Sequence, residues 1–362
     1  MRVTHAAYWL GENTMSDLNT KNTTDCKSDT DRQVSIGVLG AGTWGIALAT
    51  LLATKGYEVV VWSALSQEVE SLRRVNVHAK LPGVKLPDSL QYTSDIAEAC
   101  HNRDIVLIAT PSVYVRGTAQ AACPFIPQNQ IVVCVSKGIE TQTLKTMTDI
   151  IDEELAGLDP RLVALSGPTH AEEVARCMSS AIVSASTDTQ AAEYVQEVFA
   201  TSFMRVYTND DPKGVELCGA IKNVIALASG IAKGLGCGDN ARAALITRGL
   251  AEMKRLGVAL GCKESAFNGL AGLGDLVVTC TSEHSRNNKA GFLMGQGLTP
   301  DQATHEVGMV VEGLNALPAM VRLRDEYQVD MPIVSAVDDV VSGRMSAEEA
   351  IEALYVREQR AE

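Results

Sequence analysis

Val34-Ser35-Ile36-Gly37-Val38-Leu39-Gly40-Ala41-Gly42-Thr43-Trp44-Gly45 is the stretch that decides the fold. Residues 34–39 read as a buried strand, a short apolar run ended by a glycine-rich turn. A helix from Ile46 to Lys55 follows, Gly56 caps it, and Glu58-Val59-Val60-Val61-Trp62 is a second strand. Together they make a βαβ unit of the usual size. The turn fits G-x-G-x-x-G, after a strand and before a helix, which is the setting that gives the pattern meaning. Gly40 permits the tight turn, Gly42 lets the backbone approach a pyrophosphate, and Gly45 lets helix and strand pack closely. The helix start then offers free N–H groups and a positive dipole end to phosphates. The bland alternative is a glycine-rich turn with no ligand.

The second strand ends at Trp62-Ser63-Ala64-Leu65. An NAD site usually has Asp or Glu here for the ribose 2′-hydroxyl, and none is present. Nor does an Arg for a 2′-phosphate stand at the strand end. Arg73 and Arg74, in the next helix, either reach in or face solvent. The expected cofactor is NADP or NAD, with NADPH preferred.

Outward from this unit, apolar runs alternate with helical stretches. The runs are 104–109, 131–135, 162–165, 181–183 and 203–207, with helices expected at 141–156 and 189–200. Alternation of this kind argues for a doubly wound sheet. From Val215 the pattern is helical, with helices expected over 215–233, 241–260, 286–295, 301–307, 315–327, 335–341 and 346–356. The chain is therefore read as a Rossmann-type α/β domain at 34–208 and an all-α domain at 209–356. Residues 1–33 are read as a disordered leader, because 11–33 are rich in Asn, Thr, Ser, Asp and Lys, and 357–362 as a tail.

Composition narrows the function. The chain has 362 residues and a net charge of -13. An acidic chain repels nucleic acid and anionic membranes as a whole, so any phosphate must be held by a local site. Nine cysteines are scattered singly, with no C-x-x-C pair and no Cys/His cluster, so no metal is expected. The most apolar stretch, Val215 to Ala232, is interrupted by Glu216, Lys222 and Asn223, so no stable membrane insertion is expected. Cytoplasm is the default location.

Four segments carry candidate chemistry. Lys137 stands directly after a strand, where ligands of open α/β sheets bind, or it is a surface lysine at a turn. Ser166-Gly167-Pro168-Thr169-His170-Ala171 also follows a strand and can present N–H groups and a hydroxyl, while a lone His170 reads as structural. Lys222 lies in Gly219-Ala220-Ile221-Lys222-Asn223-Val224, where an ammonium needs a partner or a task unless it snorkels outward. Burial would ease its proton exchange and suit a general acid/base. Gly272-Leu273-Gly274-Asp275-Leu276 reads as a glycine loop ending in a carboxylate that orients Lys222, accepts substrate hydroxyls, or caps a helix. Ser285-Arg286-Asn287-Asn288 brings a guanidinium to a helix start, a good phosphate clamp or an ordinary polar loop.

Taken together, from Val34 to about Leu354, these segments resemble the bacterial-type NAD(P)-dependent glycerol-3-phosphate dehydrogenases. The motifs are G-A-G-T-W-G at 40–45, S-K-G-I-E at 136–140, S-G-P-T-H-A-E-E at 166–173 and A-I-K-N-V at 220–224. N-A-R-A-A-L-I-T-R-G-L-A-E-M at 240–253, G-L-G-D-L at 272–276, T-C-T-S-E-H-S-R-N at 279–287 and V-V-E-G at 310–313 follow. The resemblance implies reversible reduction of dihydroxyacetone phosphate to sn-glycerol 3-phosphate, supplying phospholipid synthesis. It implies Lys222 as proton donor and acceptor. It implies substrate contacts from Lys137, Gly167, Thr169, Asp275, Ser285, Arg286 and Asn287. It implies cofactor contacts from Thr43, Trp44, Lys137, Ala171, Arg286, Val310 and Glu312. Ala64 departs from the pattern, since relatives often carry His or Arg there. A homodimer is the candidate assembly. The alternatives are a related two-domain hydroxyacid or hydroxyacyl dehydrogenase, which would not need the 285–287 clamp, and a non-catalytic NAD(P)H-sensing protein, which would have no reason to bury Lys222 near Asp275.

Overall fold

The computed structural model describes residues 33–358. The expected leader, Gln33 apart, and residues 359–362 of the expected tail lie outside the described residues. Eight strands form one sheet: β1 (Ser35–Leu39), β2 (Glu58–Trp62), β3 (Gln91–Thr93), β4 (Ile105–Ile108), β5 (Ile131–Cys134), β6 (Arg161–Ser166), β7 (Ser180–Ala185) and β8 (Met204–Asn209). Their order is 3-2-1-4-5-6-7-8. All neighbours run parallel except β6 and β7.

Side chains explain why the sheet is buried on both faces. On β1, β4 and β5, Ile36, Val38, Ile105, Leu107 and Val133 point into one core. Leu39, Val106, Ile108 and Val132, one residue out of phase, point into the other. A strand covered on both faces reads as a continuous apolar run, which is why these strands were legible. The order reverses at β1, which pairs with β2 on one side and β4 on the other. Leu39 lies opposite both Trp62 and Ile108, so the three strand ends are level. Ligands of such sheets bind in the crevice at that reversal.

The helices among the strands are α1 (Thr43–Thr54), α2 (Ser66–Val75), α3 (Ile96–Cys100), α4 (Val115–Ala122), α5 (Met147–Glu154), α6 (Ala171–Val174) and α7 (Thr189–Phe199). After β8 come α8 (Pro212–Gly234), α9 (Asp239–Ala259), α10 (Glu264–Asn268), α11 (Asp275–Thr281), α12 (Arg286–Gly295), α13 (Pro300–Val307), α14 (Glu312–Glu326), α15 (Pro332–Val341) and α16 (Ala347–Tyr355). The helix expected over 141–156 is shorter. Leu144 takes a left-handed conformation, and the helix starts only at the Thr146–Asp149 capping box. No strand was expected at β3, whose three residues include a polar Gln91.

α8 organises the helical half. It is buried from Gly214 to Ala232, and α9, α11, α12, α14 and α15 pack around it. By length and composition α8 meets the requirement for crossing a membrane, yet its apolar window is wholly buried in the fold. Against α12 the two backbones touch. A Cβ on Gly291 would lie 2.1 Å from the Leu227 carbonyl oxygen, and one on Gly230 2.2 Å from that of Asn288. This contact braces the start of α12 against the helix that carries Lys222.

Candidate active site

A cleft of about 590 Å³ opens at the strand ends. Its wall includes the glycine turn, Lys137 after β5, the segment before α6, Lys222 of α8 and the start of α12. At the glycine turn, Gly40 has φ +125°, and a Cβ there would strike the Ala109 backbone at 2.8 Å. On Gly45 it would meet the Gly40 carbonyl oxygen at 2.1 Å, so both positions require glycine. Gly42 is different: a Cβ there meets nothing within 4 Å. α1 starts without a side-chain cap. Its first N–H groups thus face open space beside a bare backbone, which fits a dinucleotide pyrophosphate.

The centre of the site is a carboxylate shared by two ammonium groups. Lys222 Nζ lies 2.7 Å from Asp275 Oδ1 and 2.7 Å from Thr279 Oγ1. Lys137 Nζ lies 2.7 Å from Asp275 Oδ2 and donates to the Gly167 carbonyl at 3.1 Å. Lys222 is 5% exposed and Asp275 1%. Burial pulls the Lys222 ammonium down to about 8, although the Asp275 charge opposes this. Burial pushes the Asp275 carboxyl up, but Lys137 and Lys222 outweigh it and hold Asp275 below its ordinary value. Of the readings left open for Lys222, the buried and partnered one is what the structure holds.

Asp275 is delivered by a local irregularity. The expected glycine loop at 272–276 is a wide π turn over Leu270–Gly274 running straight into α11. Gly274 N–H reaches back five residues to the Gly269 carbonyl at 3.1 Å. Such a turn rotates the following residue inward and is frequent at functional sites. Asp275 is not a helix cap: Gly274 holds that position, and no side-chain cap bond forms.

The start of α12 holds the remaining polar groups. Ser285 is its N-cap and accepts from Asn288 N–H at 3.2 Å. Arg286 is exposed on the cleft wall and has no ion-pair partner among the described residues. Asn287 is already engaged. Its amide donates to Asn223 Oδ1 at 2.9 Å and accepts from Gly313 N–H at 2.9 Å, tying α12 to α8 and α14.

Thr43, Trp44, Lys137, Thr169, Ala171, Lys222, Ser285, Arg286, Asn287, Val310 and Glu312 share the cleft wall. Gly40, Gly45, Gly167 and Asp275 stand behind it. Glu312 also accepts from Ser112 N–H at 3.1 Å and from Ser112 Oγ at 2.6 Å, linking α14 to the loop after β4. Arg73 does not reach the cleft, because its Nε donates to the Tyr92 carbonyl at 3.0 Å. Sequence reasoning missed Thr279, whose one signal is its spacing of four from Asp275 on a helix. It also missed Ser112 and Glu68. His170 lines the cleft 5.8 Å from the His284 ring. Burial, with the Lys222 charge, lowers its pKa.

Two family profiles match the chain. NAD-dependent glycerol-3-phosphate dehydrogenase N-terminus covers residues 35–192, and the corresponding C-terminus covers 211–352. Glycerol-3-phosphate dehydrogenase (NAD(P)+) 2 of Lactobacillus delbrueckii subsp. bulgaricus is 57% identical over 90% of this chain and 98% of its own length. A glycerol-3-phosphate dehydrogenase (NAD(P)+) of Agathobacter rectalis is 48% identical over 90% of this chain and 97% of its own. The crystal structure of glycerol-3-phosphate dehydrogenase from Coxiella burnetii superposes with a TM-score of 0.86 at 35% identity, covering 90% of this chain and 99% of that one.

Proposed function

The chain belongs to the NAD-dependent glycerol-3-phosphate dehydrogenase family, and on that premise we propose how its own residues carry the reaction. It interconverts glycerol 3-phosphate and dihydroxyacetone phosphate, using NAD or NADP. This membership sets aside the hydroxyacid dehydrogenase and the sensor. Oxidation removes a hydride from C2 and a proton from its hydroxyl; reduction returns both. The glycine turn, with Thr43, Trp44, Ala171, Val310 and Glu312, would hold the dinucleotide. In reduced form, a dinucleotide held there would supply the hydride for C2 of the ketone.

Lys222 gives the proton to the ketone oxygen and takes it back in the reverse direction. The carrying observation is that this ammonium is buried in an apolar helix yet opens on the cleft, beside the strand ends where the dinucleotide belongs. Asp275 holds Lys222 and Lys137 in place from behind the wall, supported by the 2.7 Å bonds to both. Lys137 and Thr169 face the substrate, and the Gly167 carbonyl steadies Lys137. Arg286, with Ser285 and Asn287 at the start of α12, holds the phosphate, where a guanidinium and helix N–H groups reinforce one another. Positioning and electrostatic stabilisation supply most of the acceleration.

With the division at 208/209, the glycine turn belongs to one half and Lys222, Asp275 and Arg286 to the other, while Lys137 and Thr169 on one side and Val310 and Glu312 on the other close the cleft between them. A cytoplasmic homodimer whose product feeds phospholipid synthesis completes the proposal, on the strength of the resemblance. Lys222→Ala tests its centre. Turnover should fall by about 10²–10⁴ while dinucleotide affinity, measured by titration, is kept. Near-normal turnover in a folded variant would remove Lys222 from the chemistry.

A further inference from the structure

We propose that Glu68 reads the 2′ position of the adenosine ribose and turns the chain toward NADH, an inference that rests on the cofactor reading above. The end of β2 lacks the acidic residue that holds ribose hydroxyls in many βαβ units. The next element supplies one. Ser63, buried at the end of β2, donates its hydroxyl to Glu68 Oε2 at 2.6 Å and accepts from Leu65 N–H at 3.2 Å. Glu68 N–H in turn bonds the Leu65 carbonyl at 2.9 Å in the first turn of α2. These bonds fold the chain back after Ala64 and hold the carboxylate against the strand end. There it lines the same cleft as Gly42, Thr43 and Trp44.

A pyrophosphate on the start of α1 directs the adenosine ribose toward the end of β2. A fixed carboxylate at that point accepts hydrogen bonds from ribose hydroxyls and repels a 2′-phosphate. The neighbours offer little to cancel the repulsion. Arg73 is committed to the Tyr92 carbonyl. His78 is buried and bonded to the Ala41 backbone, and burial lowers its pKa although the Glu68 charge opposes this. Lys80, exposed on the cleft wall, is the counterweight on this side.

Calorimetric titration of the full chain with NADH and with NADPH, without substrate, measures the effect directly. Wild type should bind NADH more tightly than NADPH. Glu68→Gln should tighten NADPH by about tenfold while changing NADH by less than about threefold. Ser63→Ala, which loosens the carboxylate without removing it, should shift the ratio the same way but less. A ratio for Glu68→Gln within about twofold of wild type, or a wild-type preference for NADPH, overturns the inference and leaves the cofactor reading intact. A folded wild-type chain that binds neither dinucleotide overturns both.

Discussion

At Lys222 two demands meet in one ammonium group. Burial lowers its pKa to about 8, while Asp275 keeps the charge attractive. The consequence has opposite signs in the two directions of the reaction. With Lys222 as the proposed proton donor, reduction of the ketone needs the charged form, so its rate should fall as pH rises through about 8. Oxidation of the alcohol needs the neutral amine, so its rate should rise over the same range. Initial rates in both directions at saturating cofactor, from about pH 6 to about pH 10, measure this, and profiles that bend the same way would refute it. Lys222, Lys137 and Asp275 were legible because each residue type is out of place in its surroundings: a charge in an apolar helix, a lysine after a buried strand, an acid after glycines. Glu68 was not legible. Its place at the end of β2 depends on a turn at 63–65 that the Ser63 hydroxyl stabilises, and no local pattern announces that bond.

At the scale of elements, the contact of α8 with α12 fixes the spacing of Lys222 and Arg286, the proposed proton carrier and phosphate clamp. Gly291→Ala puts a methyl where the Leu227 carbonyl already stands. The helices must separate, and overpacking of this kind costs about 1–3 kcal/mol. The urea midpoint should fall accordingly. KM for dihydroxyacetone phosphate should rise, because Arg286 moves with its helix; unchanged stability would show that the contact is softer than its geometry implies. β1, β2 and α12 were read from the sequence almost to their ends. The direction of β7 was not read at all. The connection from β6 to β7 contains one short helix, the four-residue α6, and β7 runs antiparallel to β6. The helix expected from 141 starts late: three of the residues at 141–146 are Thr, a poor helix former, and a left-handed Leu144 and the bridge of Ile139 to Thr146 hold the chain out of the helix there.

For the whole molecule, two buried carboxylates govern the response to pH. Glu216 of α8 accepts from Thr148 N–H at 2.9 Å at the start of α5. Glu252 of α9 accepts from Ile333 and Val334 N–H at 2.7 and 3.2 Å at the start of α15. Burial pushes both up to about 7 despite those bonds. A raised carboxyl stabilises the fold fully below its ordinary value of 4.5, and that contribution is lost as pH rises through 7. The loss is on the order of 3 kcal/mol for each group. Melting temperature should therefore drop between about pH 5 and about pH 8, and Glu252→Gln should flatten the drop. An identical slope in the variant would exclude Glu252 as a source. α8 carries a second consequence, which belongs to synthesis. It leaves the ribosome before α12, α14 and α15, its cover, have been made. For a time on the order of seconds the nascent chain displays a helix of membrane-spanning length. Lys222 sits near its midpoint, where a charge is penalised by about 2.5–3.5 kcal/mol in lipid. The lysine proposed to carry the proton thus also makes an uncovered α8 a poorer membrane span, and replacing it with alanine removes that penalty.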